Sequence, residues 1–329
     1  MSRILFAALI LISFSSCQKD LPDIFSDNQD SSQSLKLKQI HLEVKDPNDP
    51  RDYTFSIKYD SVNHKLNVYL DNPSTVTEIF DQLVYTYEFN PAGYLVKVYA
   101  PDNGMNPVLA YTINRDASNQ IQSIIEHNPD MVTGGSDETI YFSYKNIGSD
   151  LIVQDSVNYS AVGFFQTQTI RLNSNKLPVA IGRSGLGSLV DSLDFHYNSL
   201  GELSTITGIR DTTEIVLDKS KVAAGWNKQA EIFLGKDAQV LALIDPMYSL
   251  LFSFMDINLE DKFETRYNVL LSPPLSRFTR HGFYNAPSYQ DYGASQVNFT
   301  NSFSADNRLS GITISDGGFG EIKYTFSYY

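Results

Sequence analysis

FHYNSLGEL, residues 195–203, places aromatic residues at alternate positions, then Asn198 and Gly201, then an apolar residue at Leu203. A period of two puts Phe195 and Tyr197 on one face of a strand. Asn bonds its own backbone two residues on, and glycine takes positive φ without a Cβ clash. The stretch encodes the bend of a β-hairpin.

The pattern recurs along the chain. IKYDSVNHKL (57–66), YEFNPAGYL (87–95), YTINRDASNQI (111–121) and FSYKNIGSDL (142–151) repeat it, as do IRLNSNKL (170–177) and FSADNRL (303–309). FLGKDAQV (233–240) reads as a degenerate eighth copy. The expected turn anchors are Asp60, Asn90, Asn114, Asn146, Asn173 and Asn198, at intervals that fit two strands and two connections. One hairpin alone is marginal in water, so the copies must pair edge to edge. The fold class implied is all-β: a long twisted or curled antiparallel meander of more than a dozen strands, one domain over residues 35–329.

The period-two signal lapses over residues 221–295. Asp245 suits a helix N-cap and Pro246 a first turn, and Met247, Leu250, Leu251, Phe254 and Met255 then recur at three and four. Tyr248 and Phe252 make the other face apolar too, which marks a buried helix. A short helical insertion near 246–256 is expected to plug the concave side of the sheet.

The first sixteen residues read as a signal peptide. Arg3 supplies the positive charge, Ile4 to Ile12 the apolar run, and Ser15 and Ser16 precede Cys17, the one cysteine in 329 residues. The run is too short for a bilayer-spanning helix of about 20 apolar residues. Cys17 is the expected lipid attachment site, and residues 17–34, polar and rich in Asp and Ser, a flexible tether. Phe14, three before the cysteine, departs from the aliphatic residue that lipoprotein signals prefer there.

The units Tyr59-Asp60, Phe89-Asn90 to Leu95 and Tyr197-Asn198 to Leu203 resemble the hairpins of the YD or RHS-like repeat group. More narrowly, the chain is similar to Bacteroidota cell-envelope lipoproteins built from such hairpins. Asp245-Pro-Met-Tyr248 and Leu270-Leu-Ser-Pro-Pro274 resemble segments of that group's helical interruption. The resemblance implies an envelope location, at the outer membrane, and no catalytic residues.

Composition agrees with export. With 25 basic and 38 acidic residues the net charge is −13, which disfavours nucleic acid and anionic headgroups as partners. Gly182-Arg-Ser184-Gly-Leu186 starts like a nucleophile elbow but has Leu186 where glycine is required. His41, His64, His127, His196 and His281 show no metal spacing, so no cofactor or metal is expected. Asp46 to Asp52 places oxygen donors in one loop without the glycine or Glu of a calcium loop.

Two surface features remain. Arg277, Arg280 and His281 lie beside Phe283, Tyr284, Tyr289 and Tyr292, a basic and aromatic stretch suited to stacking on sugars. Ser61, Ser156, Ser192 and Thr212 each follow Asp, resembling O-glycosylation acceptors of Bacteroidota. The functional expectation is a lipid-anchored, non-catalytic structural or protein-interaction module of the envelope, held to the membrane through acyl chains. The alternative is a glycan-binding surface lipoprotein in nutrient capture.

Overall fold

A computed structural model describes residues 36–45, 51–72, 79–101, 107–127, 137–159, 164–185, 188–208, 211–219, 229–241, 243–244, 275–282, 295–315 and 321–329. The strands in chain order are β1 (Leu37–Lys45), β2 (Arg51–Asp60), β3 (Lys65–Asn72), β4 (Ile79–Phe89), β5 (Leu95–Pro101) and β6 (Pro107–Arg115). They continue with β7 (Ile121–Glu126), β8 (Glu138–Ile147), β9 (Asp150–Tyr159), β10 (Phe164–Leu172), β11 (Pro178–Gly185) and β12 (Ser188–Tyr197). The last six are β13 (Leu203–Gly208), β14 (Asp211–Leu217), β15 (Leu275–Gly282), β16 (Ser295–Phe303), β17 (Leu309–Ser315) and β18 (Glu321–Tyr328).

Each strand pairs antiparallel with the next, and β18 pairs with β1. The meander is therefore a closed 18-stranded barrel and not an open or curled sheet. Closure is made by Ile40 opposite Phe326 and Leu42 opposite Tyr324, with Phe55 and Tyr53 on the other side of β1. All six are apolar or aromatic residues that prefer a pleated, half-buried surface. Two free edges vanish in this one step.

Five connections share one turn. In each, the anchor's carbonyl accepts from the amide three residues on, and its own amide donates to the carbonyl four on. Its side chain accepts from the amide two on in the Asn and Asp copies and four on in the Ser copy. Asn90, Asp116, Asn173, Asn198 and Ser304 are the anchors. The residue three beyond takes positive φ: Gly93 at 82°, Asn119 at 63°, Lys176 at 60°, Gly201 at 76° and Asn307 at 62°. Glycine and Asn tolerate this region, whereas Lys176 is held there by the hydrogen bonds around it. Of the six anchors expected from the sequence, Asp60, Asn90, Asn173 and Asn198 hold turns and two are misplaced. Asn114 is a strand residue bonded to Ser123, and the bend is anchored two residues later at Asp116. Asn146 pairs with Leu151, and the chain reverses at Gly148 and Ser149.

Among the described residues, the insertion between β14 and β15 has two short helices, α1 (Gln229–Leu234) and α2 (Ala238–Leu241). The helix expected near 246–256 lies outside the described residues. Residues 233–240 are not a hairpin copy: they leave α1, turn at Gly235 and enter α2. Ile232, Phe233, Leu234, Leu241, Leu243 and Ile244 are all buried. The segment touches β4 to β6 on one part of the wall and β10 on another, so it occupies the lumen.

Polarity is arranged inside out relative to a barrel embedded in lipid. On β2, Phe55 and Ile57 are buried while Asp52 and Lys58 are exposed; on β16, Val297 and Phe299 are buried while Gln296, Asn298 and Thr300 are exposed. On β18, Tyr324 and Phe326 face in, and Lys323 and Thr325 face out. The apolar core is the lumen.

Candidate functional site

The most elaborate constellation is the seat of the insertion on the wall. Four strands place a tyrosine near the end that runs into a turn or the terminus, and its hydroxyl bonds the backbone where the preceding strand begins. Tyr59 donates to the Leu37 carbonyl at 3.2 Å, Tyr197 to Pro178 at 2.6 Å and Tyr328 to Leu309 at 2.8 Å. Tyr144 is hydrogen-bonded to the Ile121 backbone, and burial pushes its hydroxyl up to about 12. On β6 the corresponding residue is Arg115.

Arg115 makes the same bond and adds others. Its Nε and Nη2 donate to the Leu95 carbonyl at 3.0 and 2.9 Å, and Nη1 to Asn119 at 2.9 Å. The guanidinium also grips Asp237 with both ends, at 2.7 and 3.2 Å. With 5% of its side chain exposed, Arg115 is a buried cation whose charge must be matched. Burial pushes the Asp237 carboxyl above its ordinary value, and Arg115 pulls it the other way.

Around this pair the insertion is fitted to the turn at residues 90–94. Gly235 bridges Tyr94, and Lys236 donates its amide to the Gly93 carbonyl at 3.2 Å. A Cβ on Gly235 would stand 2.7 Å from the Gly93 oxygen, and its φ is +74°. Phe233 packs edge-on to Tyr87 at 5.5 Å between ring centroids. From β10, Gln168 donates to the Leu243 carbonyl at 2.8 Å. These contacts make a latch, and nothing in them supplies a nucleophile.

A polar sector runs along the inner wall toward the opposite end. Tyr111 donates to Glu126 at 2.7 Å, Glu126 stands opposite Glu138, and Asp155 accepts the Gln168 amide at 3.2 Å. Burial raises both the Tyr111 hydroxyl and the Glu138 carboxyl. On the outer wall, Thr112, His127 and Asp137 form a chain, each contact 2.9 Å long. It has the order of a nucleophile–base–acid relay, but Thr112 sits in the middle of a strand. Among the described residues no pair of free amides converges on its hydroxyl to hold an oxyanion. It braces β6 to β8.

The residues singled out by sequence are scattered. Cys17 and Tyr284, Tyr289 and Tyr292 lie outside the described residues. Arg277, Arg280 and His281 are on β15, with Arg277 exposed. Ser184 is a strand residue 2.6 Å from the Thr167 hydroxyl, not an elbow. Ser61 lies in the β2–β3 turn, whereas Ser156, Ser192 and Thr212 lie within strands. Asp52 is the second residue of β2, opposite Glu43, while Asp46 to Asp49 are outside the described residues. No group of three His, Cys, Asp or Glu side chains converges as metal ligands among the described residues.

Sequence reasoning missed the latch. Arg115 and Asp237 are 122 residues apart. The available signal was Arg115 standing directly before a turn anchor, where Tyr59 and Tyr197 stand in their own copies.

No family model matches the chain, so the YD or RHS-like kinship gains no family match, and no curated protein matches it. Among solved structures, the chain is similar to a porin-like protein from Bacteroides vulgatus ATCC 8482, at 8% identity and a TM-score of 0.30, covering 89% of this chain and 98% of that one. It is also similar to a porin-like protein from Bacteroides uniformis ATCC 8492, at 11% identity and a TM-score of 0.38, with the same coverages. Superpositions this loose transfer neither a site nor an activity.

Proposed function

We propose that the chain is a lipid-anchored cell-envelope protein whose barrel stands in water as a non-catalytic structural or protein-interaction module. The observation that carries this is the polarity of the wall. A barrel embedded in a bilayer needs an outward apolar band about 25 Å tall, and each Lys or Arg at mid-depth costs about 2–4 kcal/mol. Here Lys38, Lys58, Lys145, Asp194, Arg277 and Lys323 are exposed on six different strands. A water-facing barrel with an apolar, occupied lumen is suited neither to spanning lipid nor to conducting solutes, so membrane attachment falls to Cys17.

The test is to express the mature sequence without residues 1–16. It is expected to be soluble without detergent and to leave planar bilayers non-conducting; a need for detergent, or single-channel currents, overturns the reading. In cells, Cys17→Ser is expected to move the full chain out of the membrane fraction, and retention there removes the anchor.

A second reading, glycan capture, is favoured by position. β15 ends and β16 begins at the rim opposite the one where β1 begins, and Tyr284, Tyr289 and Tyr292 stand between the two strands in the sequence. A glycan array with no binding, or binding that survives Arg280→Ala with Tyr289→Ala, removes this reading.

A further inference from the structure

Strand parity assigns every connection to one of two rims. The turns after β2, β4, β6, β8, β10, β12 and β16, the insertion, and both described chain ends belong to one rim. Leu37 pairs with Tyr328 there, and the Tyr329 amide donates to the Lys36 carbonyl at 3.0 Å. The chain leading back to Cys17 therefore leaves from this rim.

The same rim carries apolar residues in water. Val62 is 85% exposed in the β2–β3 turn, Leu200 75% in the β12–β13 turn, and Ile147 56% at the β8–β9 reversal. Tyr329 is not one of this set, because its hydroxyl donates to the Ile57 carbonyl at 2.9 Å and its ring packs edge-on to Tyr59. Buried, a Val, Leu or Ile side chain contributes about 1.5–3 kcal/mol relative to water. These residues stand on widely separated strands, so they sample the circumference of the ring instead of forming one patch. A compact protein partner would cover one of them; a flat surface covers all.

We infer that this rim seats on the lipid surface, with Val62, Ile147 and Leu200 entering the headgroup–acyl boundary of the bilayer that holds the Cys17 acyl chains. The inference rests on the anchoring reading above. Lys36 and Leu37, the first described residues, stand on this rim, so the chain toward Cys17 starts on the side where these apolar residues lie and not at the opposite rim. Seated so, the Arg115–Asp237 latch faces the membrane, and the opposite rim is presented outward.

Coupling the mature chain through the Cys17 thiol to a maleimide-headgroup lipid makes the test independent of whether a cell acylates Cys17. Vesicles are phosphatidylcholine with brominated acyl chains, and the reporter is one tryptophan, at Leu200→Trp or Val108→Trp, in a Trp226→Phe background. Val108, 47% exposed at the start of β6, marks the opposite rim. Bromine is expected to quench Leu200→Trp by about twofold and to leave Val108→Trp unchanged, since an interfacial group enters about 5–10 Å. Equal quenching at both positions, or none at Leu200, overturns the inference. If Trp226→Phe does not fold, Val62→Asp with Leu200→Asp in the natural background serves. Uncoupled protein is then expected to cosediment with phosphatidylcholine vesicles several-fold less than wild type, and an unchanged fraction is the overturning result. Mass spectrometry of Cys17 from the membrane fraction reports on the anchor separately: an unmodified thiol removes acylation and leaves the vesicle result standing.

Discussion

The hairpin of β11 and β12 and that of β5 and β6 are built alike, and a single substitution in the pattern separates them. Tyr197 satisfies one carbonyl of its own hairpin, whereas Arg115 satisfies the equivalent carbonyl and also binds a segment 122 residues away. A repeat that only needs to close on itself uses a neutral hydroxyl. The copy that must also hold the lumen's occupant uses a fixed cation with five donors.

The strongest way to break this comparison is Asp237→Ala, which strands the buried guanidinium. Loss of about 3 kcal/mol in urea unfolding is expected, at the lower end for a broken buried pair because Asp237 keeps some solvent contact. Replacing the arginine as well, as Arg115→Tyr with Asp237→Ala, restores the pattern of the other copies. The double variant is expected to be more stable than Asp237→Ala alone; equal or lower stability would show that Arg115 matters for its wall contacts and not for the pair. Gly235→Ala comes next, at about 2 kcal/mol, because a Cβ meets the Gly93 oxygen and φ is left-handed. A thermal midpoint unchanged by that substitution would remove the close approach of insertion and turn.

On the plain side of the comparison, Tyr197→Phe is expected to lower stability by about 1 kcal/mol, the net value of one hydrogen bond. The smallest effect is that of pH. Asn63 and the amides of Asn63 and Val62 hold the Asp60 carboxyl below its usual value. A depressed folded value means stability is present above the unfolded carboxylate range near pH 4 and is lost as pH falls through the folded value. Asp60→Asn should flatten the fall in thermal midpoint below pH 4, and a profile identical to wild type excludes the turn as a contributor.

How far the sequence could be read follows from the range of each interaction. Asn90, Asn173 and Asn198 were legible because the turn is decided within five residues. Asp116 was missed because Asn114 fits the local pattern as well, and only the left-handed Asn119 discriminates. Ring closure was not legible, since Leu42 and Tyr324 carry no mark of each other beyond being apolar. The helix expected near 246–256, which lies outside the described residues, is read from its helical period. The helices observed, of six and four residues, are too short to show one. The latch is long-range and ionic, and a lone arginine reads as surface until its partner is in place.

The seam between β1 and β18 also orders events in time. Until residues 321–328 have been made, β1 and β17 remain open edges of a growing sheet, each a template for another chain. An emerging molecule is thus most adhesive just before it is complete, and pairing its final strand with its first ends that exposure. Chains truncated before β18 should therefore aggregate where the intact one stays dispersed.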